Sequence, residues 1–292
     1  MEIQKRRMRV GWLSRRTLLR SVICSGVATA FAYGCAEAEE LEVVAADVPV
    51  RGLPAGLDGF TIGALSDFHA GAYLRPAQVE RAVQAVNAYR PDLVTLLGDY
   101  VDGKTESHDL EDLEASRFLF AALKELRATY GVFAVLGNHD HWANGLWVRR
   151  ELEKAGARVL ANEHVMLDNG LALAGVDDHW VGNARVQRAL AGIPSRTPVV
   201  LLSHNPDING KIPAGSSVKA VLSGHTHGGQ VRMPFTDKAF WVPCSRKYRN
   251  QSGLIRETSS RWTFISKGIG TYFAPVRWNC PPDVGILTLR RA

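Results

Sequence analysis

The sequence lacks a linker, an internal repeat and a long apolar run. No stretch rich in proline, glycine or serine divides it after residue 45, and no low-complexity tract interrupts it. We therefore interpret residues 39–292 as one domain, long enough to bury a substantial core. The longest run of apolar and small residues, 21–34, is shorter than the about 20 residues that a membrane-spanning helix needs.

Beyond its N-terminus the chain also has almost no excess charge. Residues 1–38 contain seven lysines and arginines and two glutamates, which account for +5 of the formal net charge of +6. The rest of the chain is thus near +1, which excludes a generally basic body that binds nucleic acid through its phosphates. We therefore expect no nucleic-acid partner.

Cysteine is scarce as well. Of the four cysteines, only Cys244 and Cys280 lie beyond residue 38. In an oxidising compartment these two could form a disulfide, but two buried thiols agree equally well with the sequence. The sequence leaves this choice open.

The N-terminus contains a targeting pattern. A basic start leads to Ser14-Arg15-Arg16-Thr17-Leu18-Leu19-Arg20, a twin-arginine arrangement of the kind that routes folded proteins across a bacterial inner membrane. A small-x-small cleavage site, Ala36-Glu37-Ala38, follows the short apolar stretch. We predict that residues 1–38 are a signal segment read by the twin-arginine export machinery, and that the domain is periplasmic or associated with the cell envelope. The alternative is an uncleaved inner-membrane anchor whose domain faces the cytoplasm.

Five apolar runs end at residue types that commonly bind metal ions. They lead from Thr61 to Asp67-Phe68-His69, from Asp92 to Gly98-Asp99, from Val132 to Gly137-Asn138-His139-Asp140, from Val199 to His204-Asn205, and from Val218 to Gly224-His225-Thr226-His227. Such runs predict buried strands, and an open α/β sheet binds its ligands at the carboxyl ends of its strands. Helices are predicted over 76–90, 110–128 and 147–155, and their alternation with the strands favours an α/β fold with the helices outside.

Further short strands are predicted before and after these runs. An alternating stretch over 41–50 indicates an edge strand. Segments 158–160, 164–167 and 171–175 indicate the start of a second sheet, and a hairpin turn, Asp168-Asn169-Gly170, joins the last two. We assign 230–234, 261–266 and 284–289 to that second sheet as well, and interpret 235–261 as a loop with some strand.

In their order, Asp-x-His, Gly-Asp-x-x-Asp, Gly-Asn-His-Asp, His and Gly-His-x-His, the five blocks resemble the calcineurin-like metallophosphoesterases. Segments 224–230 and 267–271 are similar to the bacterial subgroup of twin-arginine-exported phosphoesterases and UDP-diacylglucosamine pyrophosphatases, although Cys280-Pro281-Pro282-Asp283 departs from its Arg-Pro-Glu run. The resemblance implies a sandwich of two mixed β-sheets flanked by α-helices. It also implies a metal-dependent hydrolase that cleaves a phosphodiester or pyrophosphate bond through a hydroxide bridging two ions.

The resemblance assigns the ligands residue by residue. Asp99 would bridge two divalent ions, one of which is also bound by Asp67, His69 and His227, and the other by Asn138, His204 and His225. Carboxylate, amide and imidazole ligands without thiolate suit Mn²⁺, which we take as the first choice, and also Fe or Zn²⁺. His139 matches the family histidine that contacts the phosphate and assists the leaving group. Asp140 is expected to hold the other nitrogen of the His139 ring.

Two other functions stay open at this point. One is a UDP-2,3-diacylglucosamine pyrophosphatase acting at the membrane surface, which would require the cytoplasm-facing anchor. The other is a non-catalytic metal-binding module that recognises a phosphorylated envelope component, against which the intact His139 and the complete ligand set argue. The expected partner is therefore a phosphate ester, with lipids and envelope components among the candidates. No oligomeric state is predicted.

The remaining polar residues of interest are assigned structural roles. His108 and His164 are interpreted as structural or solvated, His141 and His179 as part of the cleft rim, and Asp102 as closing the loop after Asp99. Arg277 is interpreted as an exposed arginine, with a phosphate contact as the alternative.

Overall fold

We describe a computed structural model of the chain, in which residues 15–103, 110–236, 238–245 and 252–292 are described. The basic start of the predicted signal segment, up to Ser14, lies outside these residues, and so does His108. Within the described part of the chain, no helix combines the length and the apolar character needed to cross a membrane.

The described residues form twelve strands and six α-helices. The strands are β1 Glu42–Val50, β2 Thr61–Leu65, β3 Leu93–Leu96, β4 Val132–Ala134, β5 Ala157–Val159, β6 Glu163–Met166, β7 Ala172–Gly175, β8 Val199–Leu202, β9 Val218–Ser223, β10 Gly253–Arg256, β11 Trp262–Ile265 and β12 Asp283–Arg291. The helices are α1 Arg15–Glu37, α2 Pro76–Ala88, α3 Leu110–Ala115, α4 Arg117–Leu123, α5 Asn138–Lys154 and α6 Val186–Leu190.

The strands form two mixed six-stranded sheets. The first has the order β1-β12-β2-β3-β4-β5 and the second β10-β11-β9-β8-β7-β6. In the first sheet only the β12–β2 pair is antiparallel. In the second, the outer pairs β10–β11 and β6–β7 are antiparallel around a parallel centre.

The main core lies between the two sheets. Side chains alternate along a strand, so Val200 and Leu202 of β8 enter this core while Val199 and Leu201 face outward. Helices cover the outer faces: Val79, Ala82, Val83 and Val86 of α2 pack against the first sheet, and α6 packs against the second. The predicted α/β sandwich of two mixed sheets flanked by helices is therefore confirmed.

Several predicted elements differ from the structure. The helix predicted over 110–128 is two shorter helices, interrupted at Ser116, whose hydroxyl donates to the Leu113 carbonyl oxygen at 2.7 Å. A side-chain hydrogen bond of this kind competes with the helical one and ends the helix. The helix predicted over 147–155 begins earlier, at Asn138, with a non-helical break at Asn144.

Two predicted sheet assignments are wrong. The strand predicted at 158–160 is β5, at the edge of the first sheet, and the strand predicted at 284–289 is β12, inside that sheet. The segment 230–234 contains no named strand, only isolated bridges from Val231 to Trp278 and from Arg232 to Ala239.

The end of α1 packs on the domain. The Gly34 carbonyl oxygen accepts a hydrogen bond from the Arg277 backbone N–H at 2.9 Å. Buried Glu37 accepts the Cys280 backbone N–H at 2.6 Å, and the Tyr33 ring lies 5.4 Å from that of Trp278. The predicted boundary between signal segment and domain, after residue 38, therefore directly follows residues that pack on the domain. Cleavage at this boundary stays a prediction.

No disulfide joins Cys244 and Cys280 in the structure. Cys280 is buried, with its sulfur 3.3 Å from the His227 carbonyl oxygen. Cys244 is partly exposed and donates to the Ser245 carbonyl oxygen at 3.4 Å.

Candidate metal centre

The loops after five strands bring the predicted site residues to one place. Strands β2, β3 and β4 of the first sheet and β8 and β9 of the second end at the same edge of the sandwich. The residues they deliver are, in that order, Asp67 and His69, Asp99, Asn138 and His139, His204, and His225 and His227. Every one of them is buried.

Most of the predicted ligands have a strained backbone. Asp67, His69, Asp99, His225 and His227 all have φ between 47° and 69°, the left-handed region that non-glycine residues seldom adopt. Such residues cost of order 1–3 kcal/mol each and cluster at functional sites, where surrounding contacts hold them. The strain therefore marks this edge of the sandwich as a functional site.

Two glycines let the loops approach closely. A Cβ atom on Gly137 would collide with the Asp99 carboxylate, and one on Gly224 would collide with Ser66 Oγ and the Asp67 carboxylate. These glycines belong to the Gly-Asn-His-Asp and Gly-His-x-His blocks, and the two carboxylates occupy the space that a larger residue would fill.

Asp67, His69 and His227 form one group of potential ligand atoms. His69 Nε2 lies 2.9 Å from His227 Nε2, which lies 3.4 Å from Asp67 Oδ1. Both Asp67 oxygens accept the His225 backbone N–H at 3.0 Å, which fixes the carboxylate in place.

Asp99, His204 and His225 form the other group. Asp99 Oδ2 lies 3.0 Å from His204 Nε2, and His225 Nδ1 lies 3.1 Å from the same nitrogen. Asp99 Oδ2 is also 3.6 Å from His69 Nε2 in the first group. Asp99 is therefore placed between the two groups, as its predicted bridging role requires.

The donor chemistry fits two cations. His204 Nδ1 lies 2.8 Å from the Leu97 carbonyl oxygen, so Nδ1 carries the proton and the neutral ring turns its Nε2 lone pair toward Asp99. Two acceptors 3.0 Å apart need a proton or a cation between them. Four further atoms are buried without a hydrogen-bond partner, namely His69 Nδ1, Asn138 Oδ1, His225 Nε2 and His227 Nδ1.

Without cations, a proton lies between His204 Nε2 and the Asp99 carboxylate. Burial opposes a charge on His204, but the Asp99 carboxylate outweighs it and raises the pKa of His204 to about 10. Burial likewise opposes the Asp99 charge, yet His204 and His139 hold the pKa of Asp99 well below its usual range. Burial lowers the pKa of His69 and of His225 to about 3, and it raises the pKa of Asp67 to about 6.

His139 lies at the centre and forms a third group of potential ligand atoms with His69 and Asp102. Its Nδ1 is 2.8 Å from the Gly103 carbonyl oxygen, and its ring centroid is 4.6 Å from that of His69. The expectation that Asp140 holds the His139 ring is wrong. Asp140 accepts backbone N–H groups instead, from Asp99, Tyr100, Val101 and Gly137, and so fastens the loop after β3 to the start of α5.

Aromatic side chains that the sequence reasoning missed form the walls. A cavity of about 60 Å³ opens at the centre, and Trp142, Trp180, Trp241 and Tyr272 line it with the predicted residues Asp99, Asn138, His139, His225 and His227. Trp180 meets the His225 ring edge-on at 4.4 Å between centroids. Only Trp142 carries a sequence signal, since it lies two residues after the third block, in helix α5, whereas the other three lie in irregular loops.

The residues given structural roles are placed as follows. Asp102 lies at the centre, 4.0 Å from His69 Nδ1. His141 pairs with Asp177 at 2.8 Å, away from the centre, and His164 lies 2.8 Å from the Ala189 carbonyl oxygen on the second sheet. The half-buried His179 has a buried Nδ1 without a partner.

The interpretation of Arg277 as an exposed residue is wrong. The side chain is fully buried and donates to the carbonyl oxygens of Lys267, Gly268, Gly270 and Cys280 at 2.6–3.0 Å. In the same loop, the Gly270 backbone N–H donates to the Asp67 carbonyl oxygen at 2.8 Å. Arg277 thus braces the loop on which Asp67 rests.

Comparison with known proteins agrees with this geometry. A family model described as calcineurin-like phosphoesterase matches residues 60–229. A metallophosphoesterase of Aquifex aeolicus is 33% identical over 89% of this chain and 95% of its own length. YkuE of Bacillus subtilis, also described as a metallophosphoesterase, is 29% identical over 95% and 98%. The phosphodiesterase YaeI of Escherichia coli is 29% identical over 79% and 82%.

One solved structure superposes with a TM-score of 0.50 at 11% identity, covering 72% of this chain and 91% of its own, and that likeness concerns the fold alone. Fold, ligand cluster and relatives together define a metal-dependent phosphoesterase. The chain belongs to the calcineurin-like phosphoesterase family.

Proposed function

We propose that the protein hydrolyses a phosphodiester or pyrophosphate bond with the aid of two divalent cations. The observation that carries the proposal is the convergence of two ligand groups on Asp99, within 3.0 Å of His204 and 3.6 Å of His69. Ions in two-metal sites lie about 3.5–4 Å apart, so a carboxylate placed between the groups has the reach to bind both.

The predicted ligands would be divided between the two ions according to their positions. One ion would be held by Asp67, His69 and His227 and the other by Asn138, His204 and His225, with Asp99 shared. When bound, the ions supply a water of lowered pKa and neutralise charge on the phosphoryl oxygens. Mn²⁺ is our first choice for this oxygen- and nitrogen-donor set, with Fe or Zn²⁺ as alternatives.

The other cavity residues would bind and orient the ester. His139 in its doubly protonated form would donate a proton or hydrogen bond from Nε2 to the departing oxygen, while the Gly103 carbonyl oxygen accepts the Nδ1 proton. Trp142 and Tyr272 contact the His139 ring edge-on at 4.8 and 5.0 Å between centroids and limit its rotation. A fixed ring loses less entropy when it meets the substrate.

The two-metal proposal is tested by Asp99→Asn. An amide keeps the shape of the carboxylate but removes its charge and one acceptor oxygen, so we expect both ions to be lost together with diester turnover. His69→Ala, which removes a ligand from one group only, serves as the matched control and should empty chiefly one site. If elemental analysis still finds two equivalents of metal in Asp99→Asn, Asp99 does not bridge the two ions.

For cellular location, we propose export through the twin-arginine machinery. The support is the Arg15-Arg16 pattern ahead of a short apolar stretch. Replacing both arginines with lysine should leave the protein in the cytoplasm, as cell fractionation would show, and normal export of that variant would refute the proposal. A wild-type domain that faces the cytoplasm would instead favour a UDP-2,3-diacylglucosamine pyrophosphatase acting at the membrane surface.

A further inference from the structure

A second cavity, of about 290 Å³, adjoins the metal centre. The two cavities share His227, Trp241, Pro243 and Tyr272, and these four residues form the boundary between them. Gly229, Gln230, Val231, Phe240, Phe273 and Val276 supply most of the remaining wall. We call this space the apolar cavity.

Apart from His227, Trp241 and Tyr272, which also face the metal centre, the polar side chains in the wall of the apolar cavity are already hydrogen-bonded. The Gln230 amide donates to the carbonyl oxygens of Ala274 and Val276 at 3.1 and 3.0 Å, and its oxygen accepts the Tyr272 backbone N–H at 2.8 Å. The Thr226 hydroxyl oxygen accepts the Gly228 N–H at 3.2 Å. The wall contains no aspartate, glutamate, lysine or arginine among the described residues.

This wall selects against a polar occupant. A nucleobase or sugar that entered it would lose hydrogen bonds to water and find few free partners, which disfavours its binding. An alkyl group loses nothing of that kind and removes apolar surface from water. The mouth favours the same occupant, because Phe240 and Phe273 are 64% and 69% exposed at its edge. Both aromatic rings would be covered by an alkyl chain.

We propose that the apolar cavity binds an alkyl chain of the substrate, so that the substrate is an amphiphilic phosphate ester. The inference rests on the proposed phosphoesterase function, since chain and phosphate must belong to one molecule to occupy adjoining cavities. His227 and Tyr272 form the boundary, so the chain is attached within a few bonds of the phosphate. A single-chain amphiphile in solution and a lipid in a bilayer both present this chemistry.

The test is a series of p-nitrophenyl alkyl phosphodiesters, from methyl to octyl, with the metal-loaded full chain. Each methylene taken into the cavity should raise kcat/KM by up to about fourfold, until the cavity is full. Turnover that does not change with chain length would overturn the alkyl-chain proposal and leave the phosphoesterase function standing. Absence of turnover of every ester would instead defeat the proposed function itself.

Two variants make the test specific. Ala274→Trp fills the apolar cavity and should flatten the dependence of kcat/KM on chain length. Thr236→Trp adds the same ring to an exposed position outside that cavity and is the matched control. Because the first variant could fold poorly, Phe240→Asp is compared as well. Phe240→Asp places a charge at the mouth of the apolar cavity. Its matched control is Phe235→Asp, which alters another exposed aromatic residue outside that cavity.

The source of the chain is distinguished by how the probe is presented. A lysophosphatidylglycerol is offered as dispersed monomer and, separately, within phosphatidylcholine vesicles. Faster cleavage than that of glycerophosphoglycerol, which has the same phosphodiester without the chain, supports a soluble amphiphile in the first arm and a membrane lipid in the second. No advantage in either arm counts against the apolar cavity as a chain site.

Discussion

His139 is fixed at one ring nitrogen and available at the other. The Gly103 carbonyl oxygen can only accept, so Nδ1 must carry the proton that lies between them at 2.8 Å. The opposite nitrogen is left for a substrate oxygen in the cavity. His69 and His204 differ from His139 in lying beside Asp99, with their Nε2 atoms 3.6 and 3.0 Å from its carboxylate.

We therefore expect His139→Ala to keep both ions and to lower diester turnover by roughly 10²–10⁴-fold, the range for a lost general acid. The loss should be smaller for p-nitrophenyl esters than for alkyl esters, because nitrophenolate needs little protonation as it departs. Steady-state kinetics on both esters, with metal content measured on the same samples, checks this.

His164→Ala is the matched control, since that histidine contacts the Ala189 carbonyl oxygen on the second sheet, away from the centre. It should change neither kinetics nor metal content. Equal losses on both esters in His139→Ala would make His139 a phosphate-binding donor without an acid role. Loss of metal would make it an additional ligand.

At this scale the sequence predicts the ligands better than their surroundings. Each predicted ligand follows an apolar run, and parallel strands of one sheet end at the same edge, so the pattern explains why the ligands of β2, β3 and β4 meet. It does not explain why β8 and β9 of the second sheet deliver theirs to the same place. Arg277 and Tyr272 carry no such signal. Their partners lie in irregular loops without periodicity, and the burial of an arginine depends on four carbonyl oxygens that only the folded loop brings together.

Among the secondary-structure elements, strand positions were predictable but strand partners were not. An apolar run such as that of β5 or β12 reports burial of its own side chains. It does not report which sheet buries them, because pairing is decided by contacts distant in sequence. Hence β12 was assigned to the second sheet although it pairs with β1 and β2 of the first.

Helix α1 provides the prediction at this scale. A chain that lacks residues 1–40 loses the Gly34 and Glu37 hydrogen bonds to the backbone of Arg277 and Cys280. We expect it to be about 2 kcal/mol less stable than a chain that lacks only residues 1–22. Thermal unfolding should show a Tm lower by about 4–8 °C.

Glu37→Gln and Glu37→Leu refine the comparison within the longer chain. Glutamine keeps an acceptor for the buried Cys280 N–H, whereas leucine leaves that N–H without a partner, so only Glu37→Leu should approach the effect of truncation. Equal Tm values for both truncated chains would show that α1 is dispensable to the domain. The mass of the N-terminus in exported protein then shows whether processing removes these contacts.

For the molecule as a whole, cations and protons compete for one site. In the metal-free protein the raised pKa of His204, about 10, stabilises the fold below the ordinary histidine value near 6.5. That contribution is lost as the pH rises toward 10. A cation must displace the same proton, so we expect metal affinity to rise about tenfold per pH unit between pH 7 and 9.

Calorimetric titration with Mn²⁺ at pH 7, 8 and 9 measures this dependence. Below pH 6 the slope should steepen, because Asp67, with a pKa of about 6, then adds a second proton to be displaced. The Tm of the metal-free protein should fall over the alkaline range in which the affinity rises. An affinity that does not change with pH would show that His204 binds metal without releasing a proton.

The position of β12 sets the order of events when the protein is made. It is the last of the described strands to leave the ribosome, yet it lies between β1 and β2, which are the first. Until translation reaches Asp283, the first sheet is open at the place where β2 delivers Asp67 and His69. A nascent chain stalled before Asp283 would therefore hold its ligand loops on an unfinished sheet.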